Sequence, residues 1–239
     1  MIESGRSTNS SIVSEQEFKD ELQREYALRF SAQQDYRNAV WRVLTADFFQ
    51  KFIAPADTVL DLGCGWGEFI NHIRAGCKYG MDLNPDGRTR LAAEVTFLEQ
   101  DCSQLWPLAD ASLDCVFTSN FFEHLRGKDD LRRTVVQIRR CLRPGGRLLC
   151  LGPNVKYLAG EYWDFWDHYL PLTELSLREL LELHDFQVEK CVPRFLPYVM
   201  VRRRPVPLAL VRLFLKLPFL WWTIGKQFFV VARVPSADA

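Results

Sequence analysis

Residues 59–67 read VLDLGCGWG: an apolar run that ends on Asp61 and then spaces Gly63, Gly65 and Gly67 two apart. A glycine loop that leaves a strand and opens a helix brings bare backbone up to a ligand. The dinucleotide fingerprint spaces its glycines GxGxxG, so that helix and strand pack closely beside a pyrophosphate. The shorter GxGxG spacing departs from it, and Asp61 would repel a pyrophosphate while attracting a cationic amine. Nineteen residues beyond Gly63, a second apolar run ends on Asp82 and Leu83. A carboxylate at such a strand tip accepts hydrogen bonds from both hydroxyls of a ribose. Asp101 and Cys102 end a third run with a short polar edge suited to an adenine amino group, and Ser119 and Asn120 end a fourth. A ligand with an ammonium group and a ribose suits this set better than a dinucleotide.

Two histidines stand where chemistry could follow. His124 lies in FFEHL, directly after the fourth run, and His168 lies in EYWDFWDHYLPLT among Glu161, Asp164 and Asp167. An imidazole accepts a proton near neutral pH, and neighbouring carboxylates would orient His168 and raise its basicity. His124 reads equally as a helix-capping or core histidine. His72 and His184 fall on amphipathic helical patterns and are given no chemical role. Tyr162, Trp163, Trp166 and Tyr169 alternate with carboxylates in a way that suits stacking on a sugar ring; the alternative is a loop whose aromatics pack under a cap. The seven cysteines (64, 77, 102, 115, 141, 150, 191) are odd in number and form no CxxC pair. They read as reduced, buried thiols of a cytoplasmic protein rather than as a disulfide framework or a zinc site, and no metal is expected.

The elements that must position these residues alternate. Strand-like runs TVLDL (58–62), CKYGMDL (77–83), EVTFLEQ (94–100), LDCVFTSN (113–120) and GRLLCLG (146–152) are separated by helical candidates at Gly67–Ala75, Pro85–Ala93 and Lys128–Cys141. That alternation predicts an α/β fold with parallel strands and helices on both faces. Two helices precede it within 16–54; the second places Trp41, Leu44, Phe48 and Phe52 on one face. Residues 1–15 are polar and serine-rich and read as disordered. LTELSLRELLELH (172–184) predicts a helix, DFQVEKCVPRF a strand, and KQFFVVARV (226–234) a last strand. An apolar insert, 196–225, precedes that strand. Its Arg212 and Lys216 lie four apart, Pro218 interrupts it, and Arg202–Arg204 stand upstream. It reads as a cap over the acceptor pocket or a homodimer contact, or as an element in a membrane surface through 202–224, with Trp221 and Trp222 at the interface.

The ordered segments VLDLGCGWGEF, GMDLNP, EQDCSQLWPLADASLDCVFTSNFFEHL and LRPGGRLLCLGPN resemble the class I S-adenosylmethionine-dependent methyltransferases over roughly residues 55–195. The resemblance implies a Rossmann-like, mostly parallel seven-stranded sheet, with KQFFVVARV inserted antiparallel between the fifth and sixth strands. It implies S-adenosylmethionine as cofactor, with S-adenosylhomocysteine as product. Asp61, Gly63, Gly65 and Gly67 would cradle the methionine part, Asp82 with Leu83 the ribose, and Asp101 with Cys102 the adenine, with Ser119 and Asn120 lining the crevice. DHYLPLTELSLRELLELHDF is similar to a stretch in small-molecule and sugar-modifying members. The expected reaction is O-methylation of a saccharide, nucleotide sugar or related small metabolite, with His168 or His124 as base. The alternatives are a lipid-linked acceptor at a membrane surface and a regulatory subunit that binds the cofactor without turnover. A nucleic-acid acceptor is disfavoured. Formal net charge is zero, which gives no polyanion-binding surface, and SNFF replaces the proline-rich turn of enzymes that methylate base amines.

Overall fold

A computed structural model of the chain describes residues 15–158, 160–198 and 205–236. The serine-rich start and the Arg202–Arg204 run lie outside the described residues, although residue 15 already belongs to the first helix. Seven strands form one sheet: β1 (Thr58–Leu62), β2 (Cys77–Asp82), β3 (Val95–Glu99), β4 (Leu113–Ser119), β5 (Leu142–Pro153), β6 (Gln187–Val192) and β7 (Gln227–Arg233). Their order is β3-β2-β1-β4-β5-β7-β6. β1 to β5 pair in parallel. β7 runs antiparallel to both β5 and β6, in the place expected for it. Because the order reverses on either side of β1, the crevice at the carboxyl ends of β1 and β4 is where an open sheet of this kind accepts a ligand.

The helices are α1 (Glu15–Phe30), α2 (Gln34–Asp47), α3 (Gly87–Arg90), α4 (Lys128–Cys141), α5 (Val155–Leu158), α6 (Glu174–Leu183), α7 (Leu208–Lys216) and α8 (Pro218–Ile224). α4 matches its predicted span. It buries Leu131, Val135 and Ile138 on one face, and carries Asp129 and Asp130 in its first turn and Arg139 and Arg140 in its last, each sign where the helix dipole favours it. α6 starts on a reciprocal cap, in which Thr173 and Ser176 satisfy each other's backbone amides. Both sheet faces are covered. One side packs against α4 and α6. The other packs against α2 and α7 through a cluster of aromatic rings that includes Phe48, Phe49, Phe117, Phe195 and Phe229. Trp41, Leu44, Phe48 and Phe52 all join this second cluster, as their spacing predicts.

Two predicted helices give way. Gly67–Ala75 forms successive turns, and Pro85–Ala93 keeps only the four residues of α3. In the first case Phe69, Ile70 and Ile73 are all drawn into the core, with Phe69 stacked 3.6 Å from Phe117. The chain must then rejoin the sheet at once, since the Gly76 and Cys77 amides already bond the Asp57 carbonyl. Packing of three large side chains over so short a path outweighs the local helical pattern.

The insert also departs from one smooth stripe. Arg212 makes an exposed ion pair with Asp47 of α2 at 3.2 Å. Trp221 turns inward against Phe48 and Phe195 and donates to the Phe214 carbonyl. Trp222 points out with Leu210, Leu213, Phe219 and Ile224. No helix among the described residues is long and apolar enough to cross a membrane.

Candidate active site

The glycine loop is held open by backbone geometry. Gly63, Gly65 and Gly67 all have left-handed φ, at 72°, 50° and 79°, a region that costs residues with a Cβ. Space is as restrictive as torsion. A Cβ on Gly63 would stand 2.3 Å from the Phe121 ring, and one on Gly67 would stand 2.4 Å from Leu91. Asp82, buried at the tip of β2, fixes the loop: its Oδ2 accepts the Gly65 amide at 2.7 Å and its Oδ1 accepts the Asn84 amide at 2.8 Å. Burial raises the pKa of this carboxyl, against the pull of those amides and that of Leu83. Asp61 lies beneath the loop, 3% exposed. Burial, together with Glu68 and Asp82, drives its pKa well up, while the Ile70 amide opposes the rise.

The remaining residues expected along the crevice are placed unevenly. Asp101 closes a tight turn by accepting the Ser103 amide at 2.8 Å. The Cys102 thiol faces the core instead, where it accepts the Thr134 hydroxyl at 3.3 Å, because α4 packs over that side of the chain, and its carbonyl accepts the Trp106 indole at 2.9 Å. Asn120 turns the end of β4 with φ at 48° and donates to the Ser119 hydroxyl at 3.1 Å. Its own Oδ1 is buried without a hydrogen-bond partner.

Beyond Asn120 the fold joins two segments that are distant in sequence. The Tyr169 and Leu170 amides both bond the Glu123 carbonyl, at 2.9 and 3.0 Å, and so hold the His168 segment against FFEHL. The two imidazoles meet with ring centroids 5.0 Å apart. One potential ligand atom from each of Glu123, His124 and His168 lies within 4.8 Å of the other two. Asp167 serves His124 rather than its neighbour: His124 Nδ1 lies 3.0 Å from Asp167 Oδ2 and 3.1 Å from the Asp167 carbonyl. His168 Nδ1 faces the Tyr162 carbonyl at 2.8 Å, and Glu161 pairs with Lys226 at 2.6 Å. Two of the three carboxylates expected around His168, Asp167 and Glu161, are therefore committed elsewhere, since consecutive residues of the loop point in different directions.

The electrostatics follow from these contacts. Burial and then the neighbouring His124 charge push His168 down to about 4, so at neutral pH its ring is neutral. Burial works against a charge on His124, but Asp167 and Glu123 outweigh it and raise its pKa. Asp167 is desolvated too, yet the hydrogen bonds from His124 and Arg29 hold its carboxyl far below the usual range. Glu123 is 2% exposed. Burial pushes its carboxyl up to about 7 despite the His124 charge, and its Oε1 has no partner. Both histidines were legible in the sequence; Glu123 was not singled out. Its one signal is the lone acid of FFEHL, set between Phe122 and His124.

α1 closes the crevice from above with residues on one helical face. Lys19 reaches Glu99 at 2.7 Å, and Gln23 reaches Asp86 at 2.8 Å. The Tyr26 ring lies 3.0 Å from where a Cβ on Gly65 would sit, and 6.2 Å from the Trp66 ring. Arg29 forks both Asp167 oxygens at 2.7 and 2.5 Å. The 4-3-3 spacing sets all four on the same stripe, which spans the crevice from the β3 tip to the histidine pair. His72, given no chemical role, bonds Asn38 at 2.6 Å, and His184 caps α6.

With this geometry in view, the relatives are informative. A family model described as a methyltransferase domain matches residues 60–150. A demethylmenaquinone methyltransferase of Symbiobacterium thermophilum is 27% identical over 180 residues, covering 66% of this chain and 70% of that protein. An uncharacterised 37.1 kDa protein of a Streptomyces fradiae transposon is 29% identical over 172 residues, and this chain spans only 45% of its length. The crystal structure of an S-adenosylmethionine-dependent methyltransferase from Archaeoglobus fulgidus superposes with a TM-score of 0.63 at 21% identity, covering 84% of this chain and 97% of that one; this is a likeness of fold. The matched stretch contains the glycine loop, the acidic tips of β2 and β3, and FFEHL, and the sheet around it carries an inserted antiparallel strand: residues 60–150 match a methyltransferase domain, and the chain has the Rossmann-like fold of the class I S-adenosylmethionine-dependent methyltransferases.

Proposed function

We propose that this chain transfers the methyl group of S-adenosylmethionine to a hydroxyl oxygen of a small acceptor, which enters beside Glu123, His124 and His168. The observation that carries the reading is the convergence of those three side chains where β4 leaves the sheet, next to the glycine loop. The residues present fit the cofactor: three glycines bare their backbone at left-handed φ, and a buried carboxylate at the β2 tip keeps a second lone pair on each oxygen. In this reading Gly63–Gly67 pass the methionine part, Asp82 holds the ribose, and Asp101 borders the adenine. Bound S-adenosylmethionine supplies a methyl group that its sulfonium has already activated, so positioning of the nucleophile provides most of the acceleration. The cluster's share is to hold the acceptor oxygen in line and to draw off its proton as the new bond forms. Trp163, Trp166 and Tyr169 are exposed along the same segment and offer ring faces to a saccharide.

A second acceptor class has its own support. Leu210, Leu213, Phe219, Trp222 and Ile224 make an exposed apolar ridge on α7 and α8, suited to a membrane surface or a lipid-linked acceptor. The Symbiobacterium relative is named for demethylmenaquinone, itself a lipid. The deciding experiment offers methyl-labelled cofactor with nucleotide sugars in one arm and detergent-dispersed quinols in the other. Label in the sugars alone supports the first reading; label in the quinols alone replaces it with the second. Calorimetry with S-adenosylhomocysteine tests the cofactor site: Asp82→Ala should weaken binding by about 1–3 kcal/mol, and undiminished affinity would move the ribose elsewhere.

A further inference from the structure

We infer that Glu123, His124 and His168 together hold a divalent transition-metal cation, through the Glu123 carboxylate and the two Nε2 atoms, with open coordination positions for the acceptor oxygen. This inference rests on the proposed methyl transfer for its use, but not for its geometry. Three observations carry it.

The first is convergence. The three potential ligand atoms lie within 4.8 Å of one another, so side-chain shifts of about an ångström bring them to the roughly 3.3–3.6 Å separation of tetrahedral ligands on bonds of about 2.0–2.2 Å. The second is the direction of each ring. Nδ1 of His124 is committed to Asp167, and Nδ1 of His168 to the Tyr162 carbonyl. That leaves Nε2 of each ring for the ion, which on His124 takes the place of a proton. Metal-binding histidines are held in this way, one nitrogen fixed by a carboxylate or a backbone carbonyl and the other turned to the ion. Arg29 in turn fixes Asp167 through both of its oxygens, so the support extends one layer further out. The third is the state of Glu123. Its side chain is 2% exposed and Oε1 has no hydrogen-bond partner. A buried carboxylate oxygen without a partner is rare and calls for an explanation; a bound cation supplies one. Tyr162 Oη, also buried and unpartnered, adds a further polar atom on the segment that carries His168.

The donor set narrows the ion. Two imidazoles and one carboxylate suit zinc, manganese, iron(II) or cobalt(II), whereas magnesium and calcium prefer all-oxygen shells. Three protein ligands leave at least one position open. An acceptor hydroxyl bound there ionises more readily. With all three side chains engaged by the cation, the proton passes to solvent in place of uptake by the cluster itself, and the acceptor oxygen then forms its bond to the methyl carbon as the carbon–sulfur bond breaks, leaving a neutral thioether. The cation is neither oxidised nor reduced.

The test uses the full chain, stripped by chelator and titrated with cobalt(II). Calorimetry reads stoichiometry, and the visible spectrum reads the ligands. The expected result is one saturable equivalent, with d–d bands and no thiolate-to-cobalt charge transfer. Glu123→Gln and His168→Gln should each weaken binding by at least about 10-fold, while His72→Gln binds as the wild type does. Glu123→Gln keeps the shape of the side chain, and circular dichroism establishes that each variant is folded before it is titrated. Absence of saturable binding, a thiolate spectrum from one of the seven cysteines, or wild-type affinity in folded Glu123→Gln would each overturn the site. Two further readouts separate this inference from the reading beneath it. Methyl transfer that proceeds undiminished in excess chelator overturns the cation and leaves methyl transfer standing. Failure to take up S-adenosylhomocysteine sinks methyl transfer, while the cobalt titration still decides the cation.

Discussion

Replacing Gly63 with alanine separates the two reasons for a glycine at that position. The residue sits at a φ of 72°, where a Cβ costs about 1–2 kcal/mol. The new carbon would also lie 2.3 Å from Cγ and Cδ2 of Phe121 and 2.8 Å from its Cβ. Those are atoms near the root of the side chain, so the ring cannot swing clear without moving its backbone, and overpacking of that kind costs about 1–3 kcal/mol. Gly63→Ala should therefore lose about 2–5 kcal/mol in a urea titration, or roughly 5–15 °C in Tm for a chain of this length. The test is a double-mutant cycle with Phe121→Ala. Removing the ring relieves the two 2.3 Å contacts but leaves the 2.8 Å approach to Cβ and the strained torsion. The double variant should therefore be more stable than the sum of the two single losses predicts, by about 1–3 kcal/mol, with the torsional part remaining. Strict additivity of the two substitutions would refute the claim that Phe121 lies over the loop.

Three other perturbations probe distinct parts of the structure. Arg29→Ala removes the fork on Asp167; losing a partly buried pair worth about 1.4 kcal/mol would speed amide exchange in 17–29 about 10-fold, with β1 and β4 unchanged, and unaltered protection would show that α1 is held by other contacts. Thiol titration at pH 8 should find Cys77, the one exposed cysteine, reacting fast, whereas Cys102, its thiol pushed up to about 12 by burial, stays silent until the protein is unfolded; rapid labelling of Cys102 would contradict its place under α4. Burial, together with Arg42 and Lys78, lowers His72 below its ordinary 6.5, so the folded state favours the neutral ring and stability falls as pH drops through and below that value. His72→Gln should lose less stability than the wild type between pH 7 and 5, and equal slopes would show that His72 is not desolvated.

Much of the molecule could be read from the chain alone, because its signals are local. Gly63, Gly65 and Gly67 announce a backbone conformation that few other residues tolerate. Asp61 and Asp82 each stand at the end of an apolar run, and that pattern by itself puts an acid at a strand tip. The spacing of Leu131, Val135 and Ile138 predicts α4 and its buried face without reference to anything else. The same local signals misjudge Gly67–Ala75, where burial of Phe69, Ile70 and Ile73 overrides the pattern that suggests a helix.

What the tertiary structure decided is which distant side chains meet. The sequence offered His124 and His168 as separate candidates and gave Asp167 to its neighbour. The fold brings the two rings together by bonding the Tyr169 and Leu170 amides to the Glu123 carbonyl, and it turns Asp167 toward His124 and Arg29. It also lays Lys19, Gln23, Tyr26 and Arg29 across the crevice, a role that no motif in α1 announces. Backbone preference and hydrophobic periodicity act over a few residues and are written along the chain. A partner 43 residues away, as Asp167 is from His124, is fixed only when the sheet is built and its loops are pulled to one edge.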